Sequence, residues 1–432
     1  MTARTPGAAR AQPSRLPPTV VGLGLVSLFT DASSEAIFPL LPAFLVSLGA
    51  SGAFIGLVEG AAELVASVLK IVTGVLADRR ARLKPLVLAG YGLSTAVRPL
   101  VAFALAPWHV LAIRVLDRVG KGVRTSPRDA LIAGVTEPSS RARAFGFHRA
   151  MDHAGAVLGT VLGAGLLWLL GAREGATPAD AERMRTVFLW AAAPGALALA
   201  ALVLTPEPPH GSARPEPVEG RASAPLARVP RSARPEPVEG RTAAATGRAF
   251  PPPLRRALLA LTIFAFANAT DAFLLVKAAR LGASPALAPL LWLTLHLVKA
   301  ATATAGGRLA DRHGRRNALA LGWCVYAVVW GAIGLAGSLP VLFALTAVYG
   351  VTHGLVEGAE RALVAELASE GRRGAAFGAY NLAIGVAALA ASVAFGAAWD
   401  RFGSAAAFGG SGAVALIAAA ALWVLVPGRA GR

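Results

Sequence analysis

The chain of 432 residues has little charge and almost no cysteine. Charged residues make up 15% of it, and Cys324 is its single cysteine. One thiol excludes an internal disulfide framework and a cysteine-based metal site. HExxH and GxSxG motifs and clustered histidines are also absent. We therefore predict no catalytic residue, no metal ion and no cofactor, which argues against an enzyme.

Apolar residues dominate instead. They make up 55% of the chain, whose mean hydropathy is +0.58. Runs of roughly 20 apolar residues, enough to cross about 30 Å of hydrocarbon, recur along its length. The sequence therefore predicts an all-α membrane protein with twelve transmembrane helices. These spans lie near 19–47, 53–77, 85–106, 108–135, 145–171, 186–204, 256–279, 286–307, 317–337, 340–365, 375–399 and 405–427.

Basic residues are concentrated in every second connection between the predicted spans. The chain carries a formal net charge of +18. Basic residues crowd connections such as 79–84, 141–143 and 312–316, whereas 48–53 and 337–340 have none. Arginine and lysine concentrate on the cytoplasmic side of membrane proteins. We therefore expect a multi-pass protein of the inner (cytoplasmic) cell membrane, with both termini in the cytoplasm. The lipid bilayer, and not nucleic acid, is the expected partner of this charge.

Two halves of the chain repeat each other. Three pairs of short segments match: 74–84 with 307–316, 141–150 with 372–381, and 30–32 with 270–272. The first two pairs lie 233 and 232 residues apart, and the third lies 240 apart and needs a small gap. Two six-helix bundles in parallel orientation, related by a pseudo-twofold axis, explain all three. Asp31 and Asp271 are then expected to face each other across that axis.

Polar segments separate and flank the two bundles. The linker contains SARPEPVEGR twice, at 212–221 and 232–241, and is too poor in apolar residues to fold. We interpret it as disordered and cytoplasmic; attraction of its arginines to anionic lipid is the alternative. The predicted organisation is a cytoplasmic tail at 1–18, a bundle at 19–204, the linker at 205–253, a bundle at 254–427 and a cytoplasmic tail at 428–432.

The connections after the second and eighth spans resemble G-x-x-x-D-R-x-G-R-R, a signature of the major facilitator superfamily of secondary transporters. The first copy departs from it at Ala81, where the signature has glycine, and at Leu83, which interrupts the basic pair. The resemblance, to bacterial twelve-helix permeases, implies alternating access, with these motifs latching the two halves on the cytoplasmic side. The matching residues are Gly74, Asp78, Arg79, Gly307, Asp311, Arg312, Gly314, Arg315 and Arg316.

Two further motifs resemble signatures of the same superfamily. Arg118-x-x-Lys121-Gly122 in the fourth span is similar to R-x-x-Q-G. The fifth span resembles the exporter motif, with Thr160 in place of proline, and its glycines are Gly155, Gly159 and Gly163. This resemblance implies export, whereas the structural alternative is close helix packing, which is expected in either case.

Many ionisable residues occur inside the predicted spans. Each arginine, lysine or aspartate at the centre of a span costs roughly 2.5 to 3.5 kcal/mol, while a strong apolar residue contributes only about −0.3 to −0.6 kcal/mol. The segment 117–130, DRVGKGVRTSPRDA, therefore does not face lipid. On a helical wheel its charges share one face with those of the preceding turn, which is typical of a helix that lines a hydrated cavity.

We predict that the pathway of substrate and protons is formed by these charged residues of several spans. Structural ion pairs are the alternative, favoured for Arg124, Arg128, Lys277 and Arg361. The predicted pathway residues are Asp31, Glu35, Glu59, Glu63, Lys70, Arg98, Arg114, Asp117, Arg118, Lys121, Arg149, Asp152, Asp271, Lys299 and Glu357.

A proton-coupled secondary transporter is the resulting hypothesis. A buried carboxylate whose partner changes during a rearrangement binds or releases a proton, and Glu63 is the candidate. Efflux of a small amphipathic or toxic compound is the first choice. Uptake or exchange of an organic anion, bound by the cationic face of the fourth span, is the alternative. A membrane receptor or enzyme on the same fold is a remote one.

Overall fold

The computed structural model describes residues 16–78, 82–137, 140–171, 178–206, 250–369 and 373–426. Most of both predicted tails lies outside these ranges, as do Arg79 and both copies of SARPEPVEGR. The disordered linker therefore stays a prediction.

The first half is a succession of helices, several of which have proline in the first turn, where a missing N–H costs no helical hydrogen bond. Two 3-10 segments, Phe38–Leu40 and Arg98–Phe103, follow α1 and α4. The helices are α1 (Pro18–Ile37), α2 (Leu41–Ser47), α3 (Gly52–Asp78), α4 (Lys84–Val97), α5 (Pro107–Val135), α6 (Arg141–Leu169), α7 (Pro178–Trp190) and α8 (Ala192–Leu204).

The second half repeats this pattern around an aromatic core that includes Trp323, Trp330 and Phe408. Its helices are α9 (Pro252–Ala267), α10 (Ala272–Arg280), α11 (Leu287–His313), α12 (Arg315–Leu335), α13 (Leu339–Leu367) and α14 (Arg373–Leu425). The run α14 turns at Gly403, whose φ of +82° lies in the left-handed region that favours glycine.

Eight helical segments of the described chain are long and apolar enough to cross a membrane. One of them, Ala375–Leu425, has 51 residues, which is about 76 Å at 1.5 Å per residue and more than twice the hydrocarbon thickness. Its turn at Gly403 lies between the last two predicted spans. The charged helix α5 is not among the eight. The all-helical membrane fold is confirmed, whereas the number of twelve spans stays a prediction.

The backbone shows the internal repeat at two helix ends. Residues 48–51 and 281–284 are both Leu-Gly-Ala-Ser and lie 233 residues apart. Gly49 and Gly282 both have a φ of +85°. The alanine after each glycine donates its N–H to the carbonyl five residues earlier, at 2.9 and 3.0 Å. The same helix cap thus ends equivalent helices in both halves, in the register of the Asp78 and Asp311 motifs.

The exporter-like glycines of α6 lie against the backbone of α1. A Cβ added at any of them would lie 2.2 to 2.9 Å from a carbonyl oxygen of α1, closer than atoms pack. The facing pairs are Gly155 with Leu28, Gly159 with Ala32 and Gly163 with Ala36. These glycines therefore serve close helix packing in this structure. Their link to export stays a prediction.

Candidate functional site

A cavity of about 340 Å³ lies where the two halves meet. It brings together four of the predicted pathway residues, two from α3, one from α5 and one from the segment between α9 and α10. In the described part of the chain, no group of three His, Cys, Asp or Glu side chains is placed to hold a metal ion. The wall includes Phe38, Glu59, Gly60, Glu63 and Arg118 of the first half and Asn268, Asp271, Trp292, His353 and Ser392 of the second.

The seventh predicted span is broken at the cavity. α9 ends at Ala267 and α10 begins at Ala272, so the backbone of 268–271 is not helical. Asn, Thr and Asp compete with helical hydrogen bonds through their short polar side chains. The Thr270 N–H donates to Ser392 Oγ of α14 at 3.2 Å. Non-helical backbone at membrane depth is tolerated where it is buried or lines a cavity, and transporters use such breaks at their binding sites.

Asp271 is held on the cavity wall by two partners of the second half. Lys299 Nζ lies 3.0 Å from Asp271 Oδ2. The Tyr349 hydroxyl donates to Asp271 Oδ1 at 2.6 Å. The carboxylate is therefore neutralised by one lysine and fixed in orientation by one phenol, which leaves it able to accept a further hydrogen bond from the cavity.

The first half contains a buried ion network beside the cavity. Arg98 Nε lies 2.9 Å from Asp117 Oδ1. Arg114 NH2 lies 2.8 Å from Glu59 Oε2, and its NH1 lies 3.7 Å from Asp117 Oδ2. Two guanidinium groups and two carboxylates balance here, with no side chain more than 9% exposed. Of the four residues, Glu59 also lines the cavity. Arg98, Arg114 and Asp117 therefore act first as structural ion pairs.

Arg118 differs from its neighbours on α5. Its side chain lines the cavity, and its Nε is buried with no hydrogen-bond partner in the described ranges of the chain. Among the described residues no ion pair neutralises it. Glu63 and Lys121 lie within electrostatic range of Arg118, and both side chains are exposed. This guanidinium is the cation of the cavity that remains available to a solute.

An aromatic wall joins the two halves at the cavity. Trp292 Nε1 of α11 donates to Glu35 Oε2 of α1 at 2.8 Å. The ring of Phe38 lies 4.8 Å from that of Trp292, centroid to centroid. Sequence reasoning found Glu35 but missed both rings, because an aromatic residue in an apolar span looks like core. The available signal for Phe38 was the repeat: Phe38 and Asp271 are 233 residues apart and so occupy equivalent positions in the two halves.

Comparison with known proteins agrees with this architecture. The family model described as Major Facilitator Superfamily matches residues 23–292 and 257–432. The chain belongs to the major facilitator superfamily. It is a multi-pass membrane protein of a transporter family whose members are generally not enzymes.

Relatives within the superfamily cover most of the chain. The uncharacterized MFS-type transporter MJ1317 of Methanocaldococcus jannaschii is 28% identical over 84% of this chain and 84% of its own. Multidrug resistance protein MdtH of Proteus mirabilis is 34% identical, but over 31% of this chain and 33% of its own. A solved bacterial homologue of the human lysosomal transporter Spinster, inward-facing and occupied, has a TM-score of 0.72 at 18% identity, covering 94% of this chain and 96% of its own. The structural likeness shows the fold.

The superfamily signature is described only in part. Gly74 and Asp78 lie in the last turns of α3, and Gly307 and Asp311 lie in α11. The structure describes the backbone of Asp78 and Asp311 but not their side chains, and Arg79 lies outside the described residues. Arg312 is exposed. The predicted cytoplasmic latch therefore stays a prediction.

The second copy of the signature ends in a glycine turn and two arginines. Gly314 has a φ of +86° between α11 and α12. Arg315 pairs with Glu366 of α13. Arg316 donates to the carbonyl of Val426 at 2.9 Å. These arginines thus tie α12 to its neighbours within the second half.

Several predicted pathway residues lie away from the described cavity wall. Asp31 does not line the cavity and is within electrostatic range of Lys121 and Asp152, and its expected position opposite Asp271 stays a prediction. Asp152 lies 3.6 Å from the NH1 atom of Arg149, whose side chain is 62% exposed. The backbone carbonyl of Lys70 accepts a hydrogen bond from Ser126. The side chain of Glu357 is outside the description.

A contact that the sequence did not predict closes the halves at one end of the cavity. Asp400 of α14 accepts the N–H groups of Gly52 and Ala53, at 2.8 and 2.9 Å, and so caps the start of α3. A Cβ added at Gly56 would lie 2.0 Å from the Ser392 carbonyl oxygen. We call this contact between the first turns of α3 and 392–400 of α14 the closed end.

Proposed function

We propose that the protein is a secondary active transporter that moves a small solute by alternating access. The observation that carries this proposal is the cavity between the halves, whose wall holds charged groups of both halves and the broken span at 268–271. Such sites at the interface of repeats are where transporters bind substrate. The exporter-like glycines and the partial likeness to a multidrug resistance protein favour efflux of a small amphipathic or toxic compound.

The closed end supports a specific conformation. It lies at the connections 48–51 and around Gly403, which the distribution of basic residues predicts to be extracytoplasmic. We therefore propose that this structure faces inward, in the inner cell membrane and with both termini in the cytoplasm. Opening to the other side requires α3 and α14 to separate, which breaks the two hydrogen bonds of Asp400.

Replacing Asp400 by alanine is expected to raise the outward-open population about tenfold. Hydrogen bonds to a carboxylate are worth about 1.5 to 3 kcal/mol each when buried, but the bond from Ala53 is exposed and that from Gly52 only partly buried, so water replaces most of their contribution. A net loss of about 1.4 kcal/mol, which is a factor of ten, shifts the balance toward the other state. The measurement is the labelling rate of Ala388→Cys, a cavity residue, by an external membrane-impermeant maleimide in a Cys324→Ser background. Glu182→Ala, at an exposed side chain of α7, is the control. Equal labelling in the Asp400 and control variants would show that these two hydrogen bonds do not hold the closed end together.

We further propose that transport is coupled to protons through Glu63. This carboxylate lines the cavity, is exposed, and has no ion pair among the described residues, whereas Glu59 is paired with Arg114. A carboxylate that gains and loses solvent and cationic neighbours between two states changes its proton affinity. Glu63 is thus better placed than Glu59 to exchange a proton without breaking a structural pair.

Glu63→Gln is expected to abolish solute flux driven by a pH gradient in reconstituted vesicles, while exchange of labelled for unlabelled solute continues. The glutamine amide keeps the size of the glutamate side chain but does not bind a proton at the pH values of such an assay. Folding should be unaffected because the side chain is exposed. Glu59→Gln should reduce flux and also stability, since it leaves Arg114 partly unpaired. Undiminished gradient-driven flux in both variants would remove proton coupling through these carboxylates.

Uptake or exchange of an organic anion is the second candidate function. Arg118 favours it, because a cavity-lining guanidinium to which no described residue is ion-paired is suited to a carboxylate or phosphate group. Transport assays in reconstituted vesicles distinguish efflux from anion exchange. Strict exchange of anion for anion without a pH gradient, in vesicles loaded with an organic anion, supports anion exchange. Proton-driven movement of a cationic or neutral compound supports efflux.

A further inference from the structure

A second pocket opens beside the cavity, inside the second half. It has a volume of about 150 Å³, enough for a small substituent. Asn268 and His353 belong to the walls of both spaces, and Phe264, Tyr326 and Glu360 enclose the second one further. We call this space the side pocket. A solute in the central cavity would reach it between Asn268 and His353.

The two residues shared by both walls have unsatisfied polar atoms. Asn268 Oδ1 and His353 Nε2 are buried and have no hydrogen-bond partner within the part of the chain that the structure describes. Buried polar atoms nearly always have one, since leaving them unpaired is costly. Both atoms belong to side chains that line the central cavity as well as the side pocket. Their partner is therefore expected to enter from the cavity.

The remaining polar groups of the side pocket are mainly acceptors. The Tyr326 hydroxyl already donates its proton to the Ala267 carbonyl at 3.1 Å. The Glu360 carboxylate lines the pocket and accepts from the Tyr380 hydroxyl at 2.8 Å, and an ionised carboxylate offers about four lone-pair sites in all. As far as the described residues form it, the wall has no lysine or arginine. The pocket therefore presents a carboxylate and an amide oxygen, but no cation.

We propose that the side pocket is a subsite for an ammonium group of the transported solute. An ammonium group has three N–H donors and a positive charge, which match the Asn268 oxygen and the Glu360 carboxylate. The rings of Phe264 and Tyr326, which also line the pocket, suit the carbon atoms next to such a group. The inference rests on the proposed transport function and specifies its substrate class as amphipathic amines.

Three probes of one shape test this subsite: phenethylamine, its neutral analogue 2-phenylethanol, and the anion 3-phenylpropanoate. Their binding to purified full-length protein in detergent is measured by titration calorimetry and by the rise in melting temperature, which follows from mass action. Glu360→Gln should weaken phenethylamine binding about tenfold or more, the usual size of one lost charge-assisted hydrogen bond. It should leave 2-phenylethanol within about twofold.

Two further variants separate the subsite from general damage. Asn268→Leu removes an amide oxygen that has no hydrogen-bond partner among the described residues. It should weaken phenethylamine binding and leave the melting temperature without ligand unchanged. Arg118→Gln should weaken 3-phenylpropanoate and not phenethylamine. Glu182→Gln, at a side chain 78% exposed on α7, is the matched carboxylate control and should change none of the three.

The outcomes distinguish this inference from the proposed function. If phenethylamine binds but its affinity is the same in wild type, Glu360→Gln and Asn268→Leu, the ammonium subsite is wrong, whether or not vesicles transport solute. The same conclusion follows if phenethylamine does not bind at all. If the two variants lose phenethylamine selectively while vesicles move none of the probes, the subsite stands and the transport proposal fails.

Discussion

Asp117→Ala is expected to destabilise the folded protein by about 3 to 5 kcal/mol, the cost of breaking a buried ion pair by removing one partner. The Asp117 carboxylate is 4% exposed and lies 2.9 Å from Arg98 and 3.7 Å from Arg114. Without it, the buried Arg98 loses its carboxylate partner and Arg114 keeps only Glu59. The loss of stability is measured as the melting temperature in detergent, which is determined from the fraction of protein that stays monodisperse after heating.

Asp129→Ala on the same helix is the matched control for Asp117→Ala. Asp129 also pairs with an arginine, Arg128 at 2.8 Å, but its side chain is 45% exposed. Exposed pairs contribute about 0 to 1 kcal/mol because water and salt screen them. The double variant Arg98→Met with Asp117→Leu should recover much of the lost stability, since apolar replacement of a whole buried pair is often neutral. Equal melting temperatures for Asp117→Ala and Asp129→Ala would show that burial is not what makes the pair matter.

Gly159→Leu is expected to stop α6 from packing on α1 and to destabilise the first half by about 3 kcal/mol or more, the upper range for overpacked cores. Even a Cβ at this position would lie 2.2 Å from the Ala32 carbonyl oxygen. Backbone cannot yield as a flexible side chain does, so the helices must separate. The readouts are the yield of folded protein from membranes and its melting temperature.

Gly165→Leu controls for the loss of glycine on the same helix. A Cβ at Gly165 would meet nothing within 4 Å, and leucine has the higher helix propensity. This variant should therefore match the wild type or exceed it slightly. The packing account of the exporter-like glycines does not survive if Gly159→Leu is as stable as Gly165→Leu.

Insertion energies alone predicted that the charges of α5 turn away from lipid, but they did not tell the charges apart. Arg114, Asp117 and Arg118 lie within five residues of each other on one helix face. The structure separates them by their partners on other helices: Glu59 is 55 residues from Arg114, and Arg98 is 19 from Asp117. Arg118, with no such partner among the described residues, faces the cavity. The helical wheel could not show this difference, because partners come from packing.

The amino-acid sequence by itself determined the membrane environment, the helical spans and the repeat. These depend on the composition and periodicity of short segments, and bilayer thickness converts them directly into helices. Only the tertiary structure decided which charges neutralise one another, that Phe38 and Trp292 form a wall with Asp271, and that Asp400 caps a helix that begins 348 residues earlier. Such contacts depend on how helices cross, and that is set by the sum of many weak packing contacts and not by any one segment.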